Sequence, residues 1–548
     1  MRTLRLLAGA TALAPAAALA ATPAAQTPGQ IVPGSPTDLL VGPARDAKPE
    51  PKAEPPIPQD LVSVPEAVAS AGALKGVVFD GVDPPAKVAE AGKPFLGQAL
   101  TLATVQALAK ALSNAYNDTS VALFTVTVPA QSFANGVVHV RIAEGFIERT
   151  LIAGDTEGGA IKQVQALAKE MTAKRPLSKR VLQRYLSLIR DIPGLTTDVK
   201  LVRGEAEGAV RMVLVLKQEK TDVALSYNNL TQRQLAKGEV GAVGKLYSGL
   251  RSGDLTQLTL STATDFDAFR YIGLTHATPL VDGAQLSASF GHISTKSRTF
   301  DLRGDADVAS IGVSYPLIRA YQRNLNLGAV VDGVNSDNAV LGSLLTRERT
   351  RALRLTAGFG ESKDRHAVSA SLIGAQGLDI LGANASITGS DVSFTKLAAA
   401  ASASRAIGDD LAVRLEGAAQ LSDSPLPAVE RFLVGGDHFG RAYPVATLAG
   451  DQGTAASLEV AWLPLRKGSK ALGSSELYVF GDRAAVRYND RGLIPTQSFN
   501  LASAGAGVKV QFRDKATLRA EVARRIDQPF AFADDWQFNL AWRLSLGR

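Results

Sequence analysis

From about residue 221 onward, apolar and polar side chains alternate with a period of two, which gives β-strands one apolar face. Leu353, Leu355, Ala357 and Phe359 alternate with Arg354, Thr356 and Gly358, and Leu325, Leu327, Ala329 and Val331 with Asn324, Asn326, Gly328 and Val330. Leu286, Ala288 and Phe290 stand against Gln285, Ser287 and Ser289. The last segment is the clearest: Trp536, Phe538, Leu540, Trp542, Leu544 and Leu546 share one face, and Gln537, Asn539, Ala541, Arg543 and Ser545 the other. A soluble sandwich has the same alternation with its apolar face inward, so the pattern alone leaves two architectures open. Length separates them: roughly 330 residues without helical periodicity fit about sixteen strands at ~20 residues per strand and connection. The prediction is an all-β transmembrane barrel of antiparallel strands over 221–548.

Upstream, the period shifts between two and 3.6, and does so twice. In the first unit, 73–144, Val77 to Val82 predicts a strand, Val105, Leu108, Leu112 and Tyr116 one face of a helix, and 121–128 and 137–142 two further strands. In the second, 145–218, a strand near 147–152 precedes a helix carrying Ile161, Val164, Leu167 and Met171. Ser178 is placed to cap another helix with Val181, Leu182, Tyr185, Leu186 and Ile189, ending at Pro193-Gly194, and strands near 197–203 and 209–216 close the unit. Each unit reads as α+β in the order βααββ, the first helix of the first unit being weakly marked.

The N-terminus predicts export. Arg2 and Arg5 precede an apolar stretch from Leu6 to Leu19, and Ala18-Leu19-Ala20 forms a small-residue cleavage site, so residues 1–20 read as a signal peptide. Residues 21–58 carry Lys48-Pro49-Glu50-Pro51-Lys52 and Pro55-Pro56-Ile57-Pro58 and read as an extended Pro-rich periplasmic linker. The chain has no cysteine, which excludes disulfides, thiolate metal sites and cysteine nucleophiles. A net charge of +7 and a pI near 9.4 raise the question of nucleic acid, but the basic residues are scattered rather than clustered, and no nucleic-acid partner is expected. The five histidines have no zinc-ligand spacing, and no metal or cofactor is predicted. Gly238 to Lys245 resembles a phosphate loop with one spacer residue too many and with Leu246 in place of the hydroxyl residue, so it reads as a Gly-rich strand. There is no G-x-S-x-G elbow, and no enzyme is expected.

Several local motifs carry a resemblance. Val128-Pro129-Ala130-Gln131 followed by Gly136 to Gly145, then Arg175-Pro176-Leu177 and Asp191-Ile192-Pro193-Gly194-Leu195, lie at matching places in the two units. Glu430 to Gly436 precedes Gly440-Arg441-Ala442-Tyr443-Pro444, with Gly450-Asp451-Gln452-Gly453 and Ser457-Leu458-Glu459 after it, and Phe480-Gly481-Asp482-Arg483-Ala484 follows. Together these resemble the outer-membrane transporters of two-partner secretion, the haemolysin and filamentous-haemagglutinin secretion/activation family of the Omp85 superfamily.

The resemblance implies two periplasmic POTRA domains before a sixteen-stranded barrel in the bacterial outer membrane, with a loop around 435–453 folded back into the lumen. It implies that Arg441 and Tyr443 at the loop tip face Asp482 and Phe480, with Asp482 as the carboxylate partner of Arg441, and that Gly435, Gly436, Gly440 and Gly453 shape the loop. Ala442 and Ala484 stand where the family pattern has glycine, which predicts altered turns there. An extended peptide is expected to add to a POTRA sheet edge or to lie in the strand–helix groove beside it, which in the first unit involves Val105, Leu112, Phe124 and Val126. Trp536, Phe538, Leu540 and Trp542 are expected to carry the assembly signal, although the sequence ends Leu546-Gly547-Arg548 where the family ends in an aromatic residue. The sequence pattern before the first unit marks no long amphipathic helix of the kind that plugs the pore in some members of the family.

The implied function is export of a large unfolded partner protein without nucleotide hydrolysis. Periplasmic chaperones and the barrel-assembly machinery would act during biogenesis, and outer-membrane lipids would surround the barrel. An Omp85-type protein insertase or lipid-remodelling factor is an alternative, and a passive porin or adhesin another.

Overall fold

The computed structural model describes residues 62–65 and 72–547 except 134, 232–235, 298–301, 341–342, 386–388, 493 and 533. The predicted signal peptide and Pro-rich linker lie outside the described residues.

The first POTRA-type unit contains β1 (Val62–Ser63), β2 (Gly76–Gly81), α1 (Ala86–Ala91), α2 (Leu102–Asn117), β3 (Phe124–Thr127) and β4 (Val137–Glu144). The second contains β5 (Phe146–Gly154), α3 (Ile161–Thr172), α4 (Lys179–Arg190), β6 (Leu195–Arg203) and β7 (Ala209–Gln218). The weakly marked helix is α1, six residues long with no side-chain cap. By contrast, Thr101 and Ser178 accept hydrogen bonds from the Thr104 and Val181 amides at the starts of α2 and α4. The two sheets share one topology: β2 runs parallel to β4, which pairs antiparallel with β3, and β5 runs parallel to β7, which pairs antiparallel with β6. The helices cover one face of each sheet, and the apolar stripes read from the sequence become the two cores.

This packing overturns the predicted peptide groove. Val105 and Leu112 on α2 and Phe124 and Val126 on β3 are 1%, 0%, 4% and 0% exposed, because the stripe that suggested a binding face is the stripe that seals the helix onto the sheet. The backbone edge of β3 is also covered. Val62 and Ser63 pair with Val126 and Thr127 in parallel, and the Val128 N–H donates to the Ser63 carbonyl at 2.8 Å. Among the described residues no strand pairs with the outer edge of β2, at the other side of the sheet order β1-β3-β4-β2.

A single residue, Gly145, separates the sheets of the two units, and the backbone there is laced together. Gly145 N–H donates to Leu123 O at 2.6 Å, Leu177 N–H to Gly145 O at 2.9 Å, Ala122 N–H to Leu177 O at 2.8 Å and Lys179 N–H to Ser120 O at 2.7 Å. Ala122 and Leu123 of the first unit are buried in the core of the second.

The remainder forms a closed barrel of sixteen strands. These are β8 (Thr221–Asn228), β9 (Glu239–Tyr247), β10 (Leu255–Ala263), β11 (Phe269–Pro279), β12 (Gln285–Lys296), β13 (Leu302–Arg319), β14 (Arg323–Val340), β15 (Ser343–Lys363), β16 (His366–Gly377), β17 (Thr395–Ile407) and β18 (Leu411–Leu421). A short pair, β19 (Phe432–Val434) and β20 (Leu448–Gly450), stands apart from the wall. The wall resumes with β21 (Gln452–Trp462), β22 (Glu476–Tyr488), β23 (Gln497–Phe512), β24 (Ala516–Asp527) and β25 (Trp536–Ser545), and β25 pairs with β8 to close it.

The alternation now resolves in favour of a membrane barrel. Leu355, Phe290, Val479, Trp536 and Phe538 are 62%, 52%, 57%, 56% and 54% exposed, whereas Asp332, Arg354, Glu476 and Glu521 on the opposite parity are buried. Apolar groups outside and charged groups inside suit a lipid solvent and no other. The phosphate-loop lookalike is barrel strand β9 and the turn before it.

Leu112→Ala tests the groove correction. Emptying a fully buried site costs about 2–5 kcal/mol, so calorimetry of the full chain should show the first periplasmic transition displaced to lower temperature. A solvent-facing groove residue would move it by no more than about 0.5 kcal/mol.

Candidate functional site: a loop held inside the barrel

The connection from β18 to β21 spans 422–451, longer than the segment expected from the motif, and folds back into the lumen. It enters through a short 3-10 turn, Ala428–Glu430, and doubles back as the β19–β20 pair, with Phe432 opposite Gly450. Phe432, Val434, Phe439, Ala442, Tyr443 and Leu448 pack against lumenal side chains of the wall such as Tyr478, Phe480, Ala484 and Leu501. Gly453 makes room for this, since a Cβ there would lie 2.2 Å from the Phe432 ring. Gly435, Gly436 and Gly440 all have positive φ, 108°, 103° and 79°. Gly440 is the one the tip turns on: its carbonyl accepts the Tyr443 N–H at 2.8 Å, and a Cβ would strike Leu501.

Ala442 does not adopt a left-handed backbone, so the glycine of the family pattern is dispensable at that position. Ala484 is 2% exposed and lies in the wall against the loop, where a methyl group fits the packing.

The structure brings Arg441 and Asp482 together, but not as a guanidinium–carboxylate pair. Asp482 accepts the backbone N–H groups of Gly440 at 2.7 Å and Arg441 at 3.3 Å, and the Ser503 hydroxyl at 2.6 Å. The carboxylate therefore holds the tip by its main chain. The guanidinium points elsewhere, donating to Glu459 at 2.9 Å and to Glu521, and it lies 3.6 Å above the Phe480 ring. Two carboxylates and a ring face are what a flat, delocalised cation can satisfy at once. Tyr443 hydroxyl donates to the Asp527 carbonyl at 2.6 Å, tying the tip to the end of β24.

Two further anchors lie at the ends of the loop. Glu430, fully buried, accepts from Arg354 at 2.7 and 3.1 Å and from Lys396 at 2.8 Å, while Arg354 also donates to Asp332 at 2.5 and 2.9 Å. Glu348 adds an acceptor for the Ala428 N–H at 3.0 Å. At the other end Asp451, also fully buried, accepts both Arg491 Nη groups at 2.8 and 2.9 Å and the Leu426 and Asn489 amides at 2.8 and 2.6 Å. Glu430 and Asp451 were visible in the motif without a role, and Glu521 and Arg354 were not singled out. Their signal is parity: each wall charge sits between apolar or small residues that face outward.

Beside the tip a polar cavity of about 960 Å³ remains, lined by Arg414, Glu416, Asp437, Arg441, Glu459 and Arg519 among others. Arg414 bridges Glu459 at 2.6 Å and Glu476 at 2.5 Å, so the tip network continues across it. Trp536, Phe538 and Trp542 are exposed on the outer face of β25, with Leu540 partly buried beside them, and Trp542 also lines the cavity beside the tip.

Residues 283–510, from β12 into β23, match the haemolysin secretion/activation protein family ShlB/FhaC/HecB, and residues 73–145 match the ShlB-type POTRA domain. No curated protein sequence matches the chain. Among solved structures, CdiB from Escherichia coli aligns at a TM-score of 0.69 and 15% identity over 94% of this chain and 96% of that one. CdiB from Acinetobacter baumannii aligns at 0.62 and 15% identity, over 91% and 94%. BamA from Haemophilus ducreyi lacking POTRA domains 1–3 aligns at 0.52 and 13% identity, over 87% and 100%. These likenesses are at the level of fold. With both its N-terminal unit and the larger part of its barrel matched, the chain belongs to the haemolysin secretion/activation family, Omp85-superfamily barrels of the outer membrane with POTRA domains in the periplasm.

Proposed function

We propose that this barrel exports an unfolded partner protein, captured in the periplasm by the POTRA units, and that the 422–451 loop gates the lumen. The observation that carries the reading is the way the loop is held. It occupies the lumen, yet its polar anchors are side-chain and main-chain contacts to the wall, with no covalent tie apart from its two ends. Charge pairs in a water-lined lumen can be exchanged for hydration when the loop moves, which a solid apolar plug could not do. The space left beside the tip suits an extended chain and is too small for a folded domain. Nucleotide hydrolysis has no place in this reading, since the sequence resembling a phosphate loop is built into a strand rather than opening a helix.

Capture is assigned to the open β2 edge rather than to the buried α2–β3 face. Its unpaired backbone groups can bind an extended chain in register, and Val78 is 41% exposed beside them. With an unfolded segment of the partner added, hydrogen exchange of the Gly76–Gly81 amides should slow, and unchanged exchange there would place recognition elsewhere.

Two further outcomes test the gate. Glu430→Ala leaves Arg354 and Lys396 without their shared carboxylate, a loss of about 3–5 kcal/mol for a broken buried pair, and should raise the mean conductance of the barrel in planar bilayers. Arg441→Ala and Asp482→Ala should each cut secretion of a co-expressed partner by about tenfold, as expected for roughly 1.4 kcal/mol lost at the tip. Secretion at the normal level in both would sink the gating role.

A further inference from the structure

The outer face of β22 changes character along its length. Leu477, Val479 and Gly481 face outward first, then Arg483, Ala485 and Arg487. Across β23, the outer face of β24 carries Leu518, Ala520 and Val522, then a single cation, Arg524, with Ile526 beyond it. β22 and β24 both run away from the end at which the chain enters β8, so the arginines stand toward the outer-leaflet side of the apolar band.

Among the described residues, protein carboxylates balance little of their charge. The Arg483 side chain is 73% exposed and 3.8 Å from Asp527, the one carboxylate in reach. Arg487 and Arg524 make no ion pair among the described residues, and Arg524 has only the Trp536 ring, 5.8 Å from its guanidinium. On another part of the wall the outward face is mixed: on β13 Arg303 shares it with Asp305 and Asp307, and Asp307 pairs with His292 at 2.8 Å. β15 also carries outward arginines, Arg347, Arg349 and Arg351, of which the first two share Asp337; Arg487 and Arg524 differ from these two in having no carboxylate partner among the described residues.

Beside Arg524, on β23–β25 and one strand over from Arg483 and Arg487, the wall is hollowed. β23 presents Ala502 opposite Arg483, and Ala504 opposite both Gly481 and Arg524. The trough holds about 640 Å³ and is lined by Ala504, Ala506, Val522, Arg524, Ile526 and Trp536. Guanidinium groups at the edge of hydrocarbon need anions, and phosphate oxygens match their fork of donors. A groove of methyl groups running down from them has the section of an acyl chain.

We infer that this trough is a seat for an anionic, phosphate-bearing lipid of the outer leaflet. Arg483, Arg487 and Arg524 hold the phosphate groups, and one acyl chain lies over Ala504 and Ala506 against Trp536. An acidic protein partner would satisfy the charges but would leave the trough without a purpose.

The test uses the full chain in neutral detergent, with native mass spectrometry and thermal melting as readouts and lipid A as the probe. Lipid A should form adducts that survive activation and should raise the melting temperature, whereas phosphatidylcholine, with no net charge, should not. The combined Arg483→Gln, Arg487→Gln and Arg524→Gln variant should bind lipid A about tenfold more weakly, the loss of little more than one charge-assisted contact. Ala504→Leu keeps every charge and fills the trough, and should weaken binding several-fold, while Arg303→Gln on the balanced wall should leave it unchanged. Heat-modifiable migration in gels confirms that each barrel is closed. Undiminished binding in the triple variant or in Ala504→Leu overturns the seat, as does a loss in Arg303→Gln equal to that in the triple variant. An equal rise in melting temperature with inorganic phosphate would assign the arginines to free phosphate instead of a lipid.

Discussion

Hydrocarbon offers no partner to a backbone N–H or carbonyl, and a sheet can enter it only if the last strand bonds to the first. In this chain β25 closes on β8, and that ring dictates where everything else goes. Apolar side chains must face lipid, so the polar half of each strand has nowhere to go but the lumen. There Asp332, Arg354, Lys396, Glu459, Glu476 and Glu521 collect as a wall of mixed charge. A loop that folds into such a space strips water from these groups and has to replace it. Glu430, Arg441 and Asp451 do so at three separate points.

The architecture was legible in the sequence because it is a matter of period. Alternation over a long stretch, and the twofold change to helical spacing before it, depend on local residue choice alone. The lumenal contacts were less legible for a physical reason. Arg441 pairs with carboxylates 18 and 80 residues away, on strands brought beside it only by ring closure. The motif placed Asp482 beside the tip, but whether a carboxylate takes a guanidinium or two amides depends on backbone direction, which a motif does not record. The α2–β3 groove went astray differently. An apolar helix face looks the same whether it awaits a peptide or has already met its own sheet, and the buried fractions of Val105 and Leu112 decide for the latter.

The three anchors of the loop differ in kind, which bears on how it would move in the proposed gate. The Glu430 cluster is a set of paired charges shared among three strands, and the Asp451 cluster is largely main-chain geometry reinforced by one arginine. The tip alone combines a stacked guanidinium with amides held by Asp482. Such a loop does not need to leave in one step. Its two ends can stay fixed while the tip exchanges partners, because Glu459 is already shared with Arg414 and can keep a cation when Arg441 withdraws.

The lacing at Gly145 has a mechanical meaning. Four main-chain bonds and a shared core leave the two POTRA sheets no free joint between them, so a pull on the open edge of the first is felt as torque by the second rather than absorbed as bending. On the proposed capture at β2, a bound chain would be held at one end of a pair that turns as a single piece rather than flexing at its middle.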